Sequence, residues 1–238
     1  TYVSSDYYLQ DNTRGAKILT YNVAKKSSNI LPWKNTTNIF NTQTDAALID
    51  AHFYTGVAYD YFKKLHGRNS YDNQGASIKS VVHVKNDGDT TPIAAWDTKR
   101  STMIYGDGDG IETRSPAGTL DVIGHELTHA MIDHSSKLQH RGEPGALNEA
   151  MADLFGTLIE HDYYKNNATR KPNWKIGEDI YVDGQTILRS MSAPASVALP
   201  SPLPDRYGTV HTHYPDHYSK LYKGTPDEHG GMLEEYVN

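Results

Sequence analysis

The chain has 238 residues, a formal charge of −6 and no cysteine. Its acidic balance and lack of basic runs argue against nucleic acid as a partner, and no disulfide can staple the fold. No apolar run approaches the length of a membrane span and no signal peptide opens the sequence, so in a secreted protein this is a processed form; the length suits one large domain or two small lobes.

Residues 1–50 carry short alternating segments, such as Lys17–Tyr21, between Asn, Ser, Gly and Pro, and read as strands and turns. From Ala46 to His66 the residues Ala47, Leu48, Ala51, Tyr54, Val57, Ala58, Phe62 and Leu65 recur at three or four, which predicts a helix. His52 on that helix reads as a packed, hydrogen-bonded residue rather than a ligand. Ile78–Val84 alternates as a strand, with His83 structural, and Ile93–Tyr105 is expected to form an edge strand. The glycines and aspartates of Gly106–Gly110 lack EF-hand spacing and read as a turn leading into the next helix.

That next stretch, Asp121–Asp133, contains H-E-x-x-H. On an α-helix His125 and His129, four apart, share one face and can share one zinc ion, with Glu126 beside the first ligand to take a proton from water. An amphipathic helix that packs Val122, Ile123, Leu127, Ala130 and Met131 inward, with the histidines merely nearby, satisfies the same pattern. The next predicted helix, Ala146–Gly156, tilts the balance. Glu149 and Asp153 lie four apart on a face that Met151, Leu154, Phe155 and Leu158 largely avoid. A catalytic zinc needs a third protein ligand and an open fourth position, so Glu149 reads as that ligand and Asp153 as the acceptor that orients an imidazole. A longer motif with Gly and His further on is excluded, because Ile132 and Ser135 occupy those positions. Beyond, residues 166–175 are polar and turn-rich, and residues 192–213, rich in Pro, Ser and His, read as a surface insertion in extended conformation.

The run Gly124-His125-Glu126-Leu127-Thr128-His129, followed by Asn148-Glu149-Ala150 with Asp153, Phe155 and Gly156, resembles the thermolysin family of secreted bacterial neutral metalloproteases. Tyr8–Gly15, Asp50–Val57, Tyr105–Gly110, Leu188–Ser192 and Asp216–Lys220 carry the same resemblance over nearly the whole chain. It implies an α+β, zincin-like fold. A β-rich lobe, residues 1–133, would end in the central H-E-x-x-H helix, and residues 134–238 would begin a helical lobe. It implies a secreted, extracellular zinc endopeptidase that cleaves peptides or proteins before large apolar residues.

By the same resemblance zinc is held by His125, His129 and Glu149 with water in the fourth position, and Glu126 is the base. Asp153 orients His125 and Asn148 braces His129. Arg189 contacts the substrate carbonyl, and Val122, Ile176, Ile180 and Leu188 wall the pocket. Asp121, Glu160, Glu178 and Asn173 fall at calcium positions of an acidic cluster that holds two calcium ions in the family. Because Asn173 and Lys175 replace acidic residues there, one calcium is expected, with Lys175 near the lost second site.

The chain also departs from the family. Ile93-Ala94-Ala95-Trp96 lacks the Asn that holds substrate amides, and His140 stands where a transition-state Tyr is expected. Met232-Leu233 replaces the stretch carrying a catalytic His, with His229 just before the glycines. The family has further sheet residues before the position of Thr1 and a larger helical lobe after these glycines. Truncation, a degenerate natural form, or a separate chain carrying the missing lobe each account for this. The alternative function is a weak or inactive zinc- and calcium-bound remnant that binds peptide.

Overall fold

The computed structural model describes residues 7–23, 30–32, 34–35, 46–85, 92–167, 170–204, 207 and 209–220. His229, Met232 and Leu233 lie outside them. The chain begins with β1 (Tyr7–Tyr8), β2 (Gln10–Asp11), β3 (Ile18–Val23), β4 (Ile30–Pro32) and β5 (Lys34–Asn35). Helix α1 (Ala46–His66) has the predicted limits, followed by β6 (Ile78–Val82), β7 (Ala94–Asp97) and β8 (Thr102–Tyr105). Then come α2 (Leu120–Asp133), α3 (Gly142–Tyr164), β9 (Lys175–Ile176), β10 (Arg189–Ser190), β11 (Ala198–Pro204) and β12 (Val210–His213).

A mixed six-stranded sheet runs β2-β3-β6-β8-β7, with β4 also paired to β3. Strands β3, β6 and β8 are parallel neighbours, and α1 makes the crossover from β3 to β6. Leu48, Ala51, Ala58 and Phe62 of α1 face a core shared with Ile18, Ile78, Val82 and Met103 of the sheet. Lys63, Lys64 and His66 sit in the last turn of α1, where the helix dipole favours cations, and Gly67 ends it at φ 66°.

Helix α3 extends past the expected Ala146–Gly156 at both ends, and three further segments differ from expectation. Strand β6 stops at Val82, because His83 turns to φ 65° and sets its Nδ1 against Asp107. The stretch Ile93–Tyr105 is a hairpin rather than one strand. Asp97 accepts the Arg100 backbone N–H (3.0 Å), the chain reverses, and β7 remains at the sheet edge. The insertion at 192–213 is also paired: β11 and β12 form an antiparallel hairpin with its own apolar nucleus of Leu199, Leu203 and Tyr214.

Every residue of α2 from Leu120 to Ile132 is buried. A helix buried all round places its polar side chains inside the protein as well, so they require partners there. Helix α3 crosses α2 at backbone distance. A Cβ built on Gly156 would stand 2.3 Å from the Asp121 carbonyl oxygen, and one on Gly124 would stand 2.9 Å from the Gly156 Cα. Only glycine permits so close an approach, and it sets the two metal-motif helices face to face. Gly156→Ala should destabilise the protein by about 3 kcal/mol, since neither backbone can yield locally. Urea denaturation measures this, and an unshifted midpoint would refute the crossing as a tight constraint.

Candidate active site

Across the α2–α3 crossing, His125 and His129 meet Glu149, Asp153 and Asn148. The His125 Nδ1 lies 2.8 Å from Asp153 Oδ1, and the Arg189 Nε and Nη2 donate to the same carboxylate at 2.6 and 2.8 Å. Burial works against the Asp153 charge, but Arg189 and then His125 outweigh it and hold its pKa at about 2. An ionised carboxylate only accepts, so the proton of His125 sits on Nδ1. The His129 Nδ1 lies 2.8 Å from Asn148 Oδ1, while the Asn148 amide nitrogen points to the Leu138 carbonyl at 3.4 Å. This orientation places the His129 proton on Nδ1 as well.

Both Nε2 atoms therefore turn lone pairs to the same point. They stand 2.9 Å apart, with Glu149 oxygens 3.2 Å from His125 Nε2 and 3.4 Å from His129 Nε2. Without a cation this arrangement captures a proton. Burial alone would lower the His125 pKa, but Asp153 and Glu149 overcome it and raise the imidazole to about 10. A metal resolves the same excess of lone pairs. Two nitrogens and a carboxylate suit zinc, and tetrahedral bonds of about 2.1 Å require donors roughly 3.4 Å apart. Among the described residues this is the grouping of three or more His, Asp or Glu that brings its ligand atoms within 4.8 Å.

Glu126 is 4% exposed and its Oε2 has no hydrogen-bond partner. Burial raises its pKa above the ordinary glutamate value, against the pull of His125 and His129. It faces a cleft of about 550 Å³. The cleft is lined by the sheet edge at Ala94, Ala95 and Trp96 and by Val122, Ile176, Ile180, Leu188 and Arg189. The β9–β10 ribbon sets Arg189 opposite Ile176, which joins that apolar wall to the Asp153 clamp. His140 also lines the cleft, with its ring 5.7 Å from that of His129 and its Nε2 3.6 Å from Asp133 Oδ1. Asp133 accepts the Trp96 indole N–H at 2.7 Å, a link the helical pattern did not reveal.

The acidic cluster lies at the start of α2. Asp121 Oδ2 accepts the Gly177 N–H (2.7 Å), and Glu178 Oε1 accepts from the Asn173 amide (2.6 Å). Asn173 turns its oxygen to the Lys175 N–H, and the Lys175 side chain is exposed. The side-chain cation in the cluster is Arg170, paired with Glu160 and Asp179 and 4.0 Å from Glu178. Nothing in its polar loop marked this arginine in advance. Even so, Glu160 Oε2 and Glu178 Oε2 are buried without partners. Burial and then neighbouring carboxylates raise Asp121 to about 8 and Glu160 to about 7. Asp121, Glu160 and Glu178 do not reach the close three-atom convergence seen at the histidines.

The model of the thermolysin metallopeptidase catalytic domain matches residues 1–133, and that of the family's alpha-helical domain matches residues 136–232. Bacillolysin of Bacillus cereus is 48% identical over 235 residues, covering 97% of this chain and 37% of that protein. Thermolysin of Bacillus sp. (strain EA1) is 48% identical over 229 residues, covering 94% of this chain and 37% of that protein. The structure of a precursor of protealysin, a metalloproteinase from Serratia proteamaculans, superposes with a TM-score of 0.69 at 29% identity, covering 92% of this chain and 65% of that one. The chain thus spans about 37% of the length of these sequence relatives. Matched by both of the family's models over nearly all its residues, the protein belongs to the thermolysin metallopeptidase family.

Proposed function

We propose that this protein is a zinc endopeptidase that hydrolyses peptide bonds before large apolar residues. The observation that carries the reading is the convergence of His125 Nε2, His129 Nε2 and Glu149 on one point, with the buried Glu126, whose Oε2 has no partner, beside them. When bound there, zinc supplies a Lewis acid and activates water as a nucleophile. Glu126 accepts the proton released as water adds to the peptide carbonyl carbon, then delivers it to the nitrogen as the C–N bond breaks. A merely structural metal site has no need of a carboxylate in that place, which favours hydrolysis over a peptide-binding remnant.

Asp153 and Asn148 fix the imidazoles by their Nδ1 protons, and Arg189 holds Asp153 while facing the cleft. Val122, Ile176, Ile180 and Leu188 form the apolar pocket for the side chain after the scissile bond. His140, which lines the cleft with its ring 5.7 Å from that of His129, would donate to the developing oxyanion where the resembled family has a phenol. Residues 1–133 form the lobe ending in the metal helix and 134–238 begin the helical lobe. Substrates are peptides or proteins, encountered outside the cell. No helix of the described residues is long and apolar enough to cross a membrane.

The chain should carry one zinc, lost in His125→Ala; metal analysis of that variant showing full zinc would sink the ligand assignment. Glu126→Gln should keep the metal and lose at least about 100-fold in kcat on a peptide with Phe or Leu after the scissile bond. Retained turnover would mean another base.

Asp121, Glu160, Glu178 and Asn173 form a site for one calcium, with Arg170 supplying further positive charge. The unpartnered Glu160 and Glu178 oxygens are ligands of the hard kind calcium takes. Asp121 and Glu160 have folded pKa values of about 8 and about 7, against 3.8 and 4.5 as ordinary values. Between these limits the folded chain binds more protons than the unfolded chain. Their contribution to stability is therefore full at low pH and declines as pH rises from about 4 to about 8. Thermal melts in chelator should show this decline, and calcium should flatten it by holding both carboxylates ionised. Melts with the same pH slope with and without calcium would remove the site.

A further inference from the structure

The β11–β12 hairpin does more than cover surface. Along β11 only Leu199 and Leu203 are buried, and they pack with Tyr214; Ala198 and Pro200, the neighbours of Leu199 on either side, line the cleft that holds Glu126 and Arg189. Tyr214 is 6% exposed and lines both that cleft and a smaller cavity of about 120 Å³ bounded by Asp153, Arg189 and Met191. The hairpin is therefore anchored beside the Arg189–Asp153 pair, and β11 forms part of the cleft lining.

The two walls differ in chemistry. Strand β7 is a sheet edge, and an edge can pair with an extended peptide through backbone hydrogen bonds. Strand β11 carries Pro200, Pro202 and Pro204, which have no N–H to donate. Ala198, Pro200 and the Tyr214 ring offer a mainly apolar surface that meets side chains instead. A charged side chain pressed against that surface loses water and gains no partner.

We propose that this hairpin is a specificity-determining wall, with Ala198, Pro200 and Tyr214 selecting against charged side chains at a substrate position flanking the residue in the apolar pocket. The inference rests on the endopeptidase reading. Two variants of the full chain test it. In one, residues 198–213 are replaced by Gly-Gly, a short bridge because the Tyr214 N–H already donates to the Val197 carbonyl at 3.2 Å. The other is Pro200→Glu at an exposed position, which leaves the nucleus of the hairpin intact.

Matched peptides with Leu in the pocket position carry Ala, Lys or Glu at each flanking position in turn. Their kcat/KM is measured with zinc-loaded protein, and their Kd with the Glu126→Gln form of each chain. Wild type should prefer Ala to either charged residue by about 10-fold or more at one flanking position, expressed in Kd as well as kcat/KM. Excision should bring that preference within about 3-fold, and Pro200→Glu should raise Lys over Glu by about 10-fold. Equal use of all three residues by wild type, or unchanged ratios in Pro200→Glu, would overturn the proposal. Peptide binding with the expected ratios but without hydrolysis would fail the endopeptidase reading alone and leave the wall standing. Absence of both binding and hydrolysis would remove both.

Discussion

The whole site depends on two helices touching through their backbones. Gly124 lies beside His125, and Gly156 lies one turn from Asp153. With no side chain at the crossing, α2 and α3 approach closely enough for imidazoles from one to meet carboxylates from the other at hydrogen-bond distance. A wider crossing would leave the same residues in place along the chain and too far apart to share a metal. Helix α1 and the sheet share one core with α2, so the metal helix is held inside the protein along almost its whole length.

Burying α2 also buries its charges, and two different solutions follow. At the histidines the charges are relayed outward: His125 to Asp153, and Asp153 to Arg189. Each oxygen and nitrogen on the outer side has a partner, so the inner Nε2 atoms are left facing each other with nothing but a cation or a proton to satisfy them. At the start of the helix, Asp121 and Glu160 repel each other and Arg170 balances only part of the charge. Unpartnered oxygens remain there too. One deficit suits a borderline metal with nitrogen ligands, and the other suits a hard cation with oxygen ligands.

The cleft joins these features to a substrate-sized space. It is lined by the metal motif, by the edge strand β7 and by the apolar surface of Ile176, Ile180 and Leu188. The β11–β12 hairpin adds to that lining. Backbone recognition along β7 would be tolerant of sequence, whereas the apolar surfaces of the same cleft would meet side chains and discriminate. Both surfaces lie within one cavity with Glu126.

Much of this was legible in the residues. The three-and-four spacing from Ala46 to His66 gave α1 its limits, because a buried helical face demands that period. The spacings of His125 with His129, and of Glu149 with Asp153, placed the chemistry on two helix faces, since four residues make about one turn. Local sequence did not reveal the Asp97 turn that splits Ile93–Tyr105 into a hairpin, nor the pairing within 192–213, where prolines masked a strand. Arg170 entered the acidic cluster from a polar loop with no periodicity to read, and Ala198 and Pro200 reached the cleft only when the hairpin folded beside Arg189. Spacing along a helix is a local property, fixed by one dihedral repeat. Which loop cation meets which carboxylate, and which strand closes a cleft, depends on distances between residues far apart in the chain, and these exist only once the core has packed.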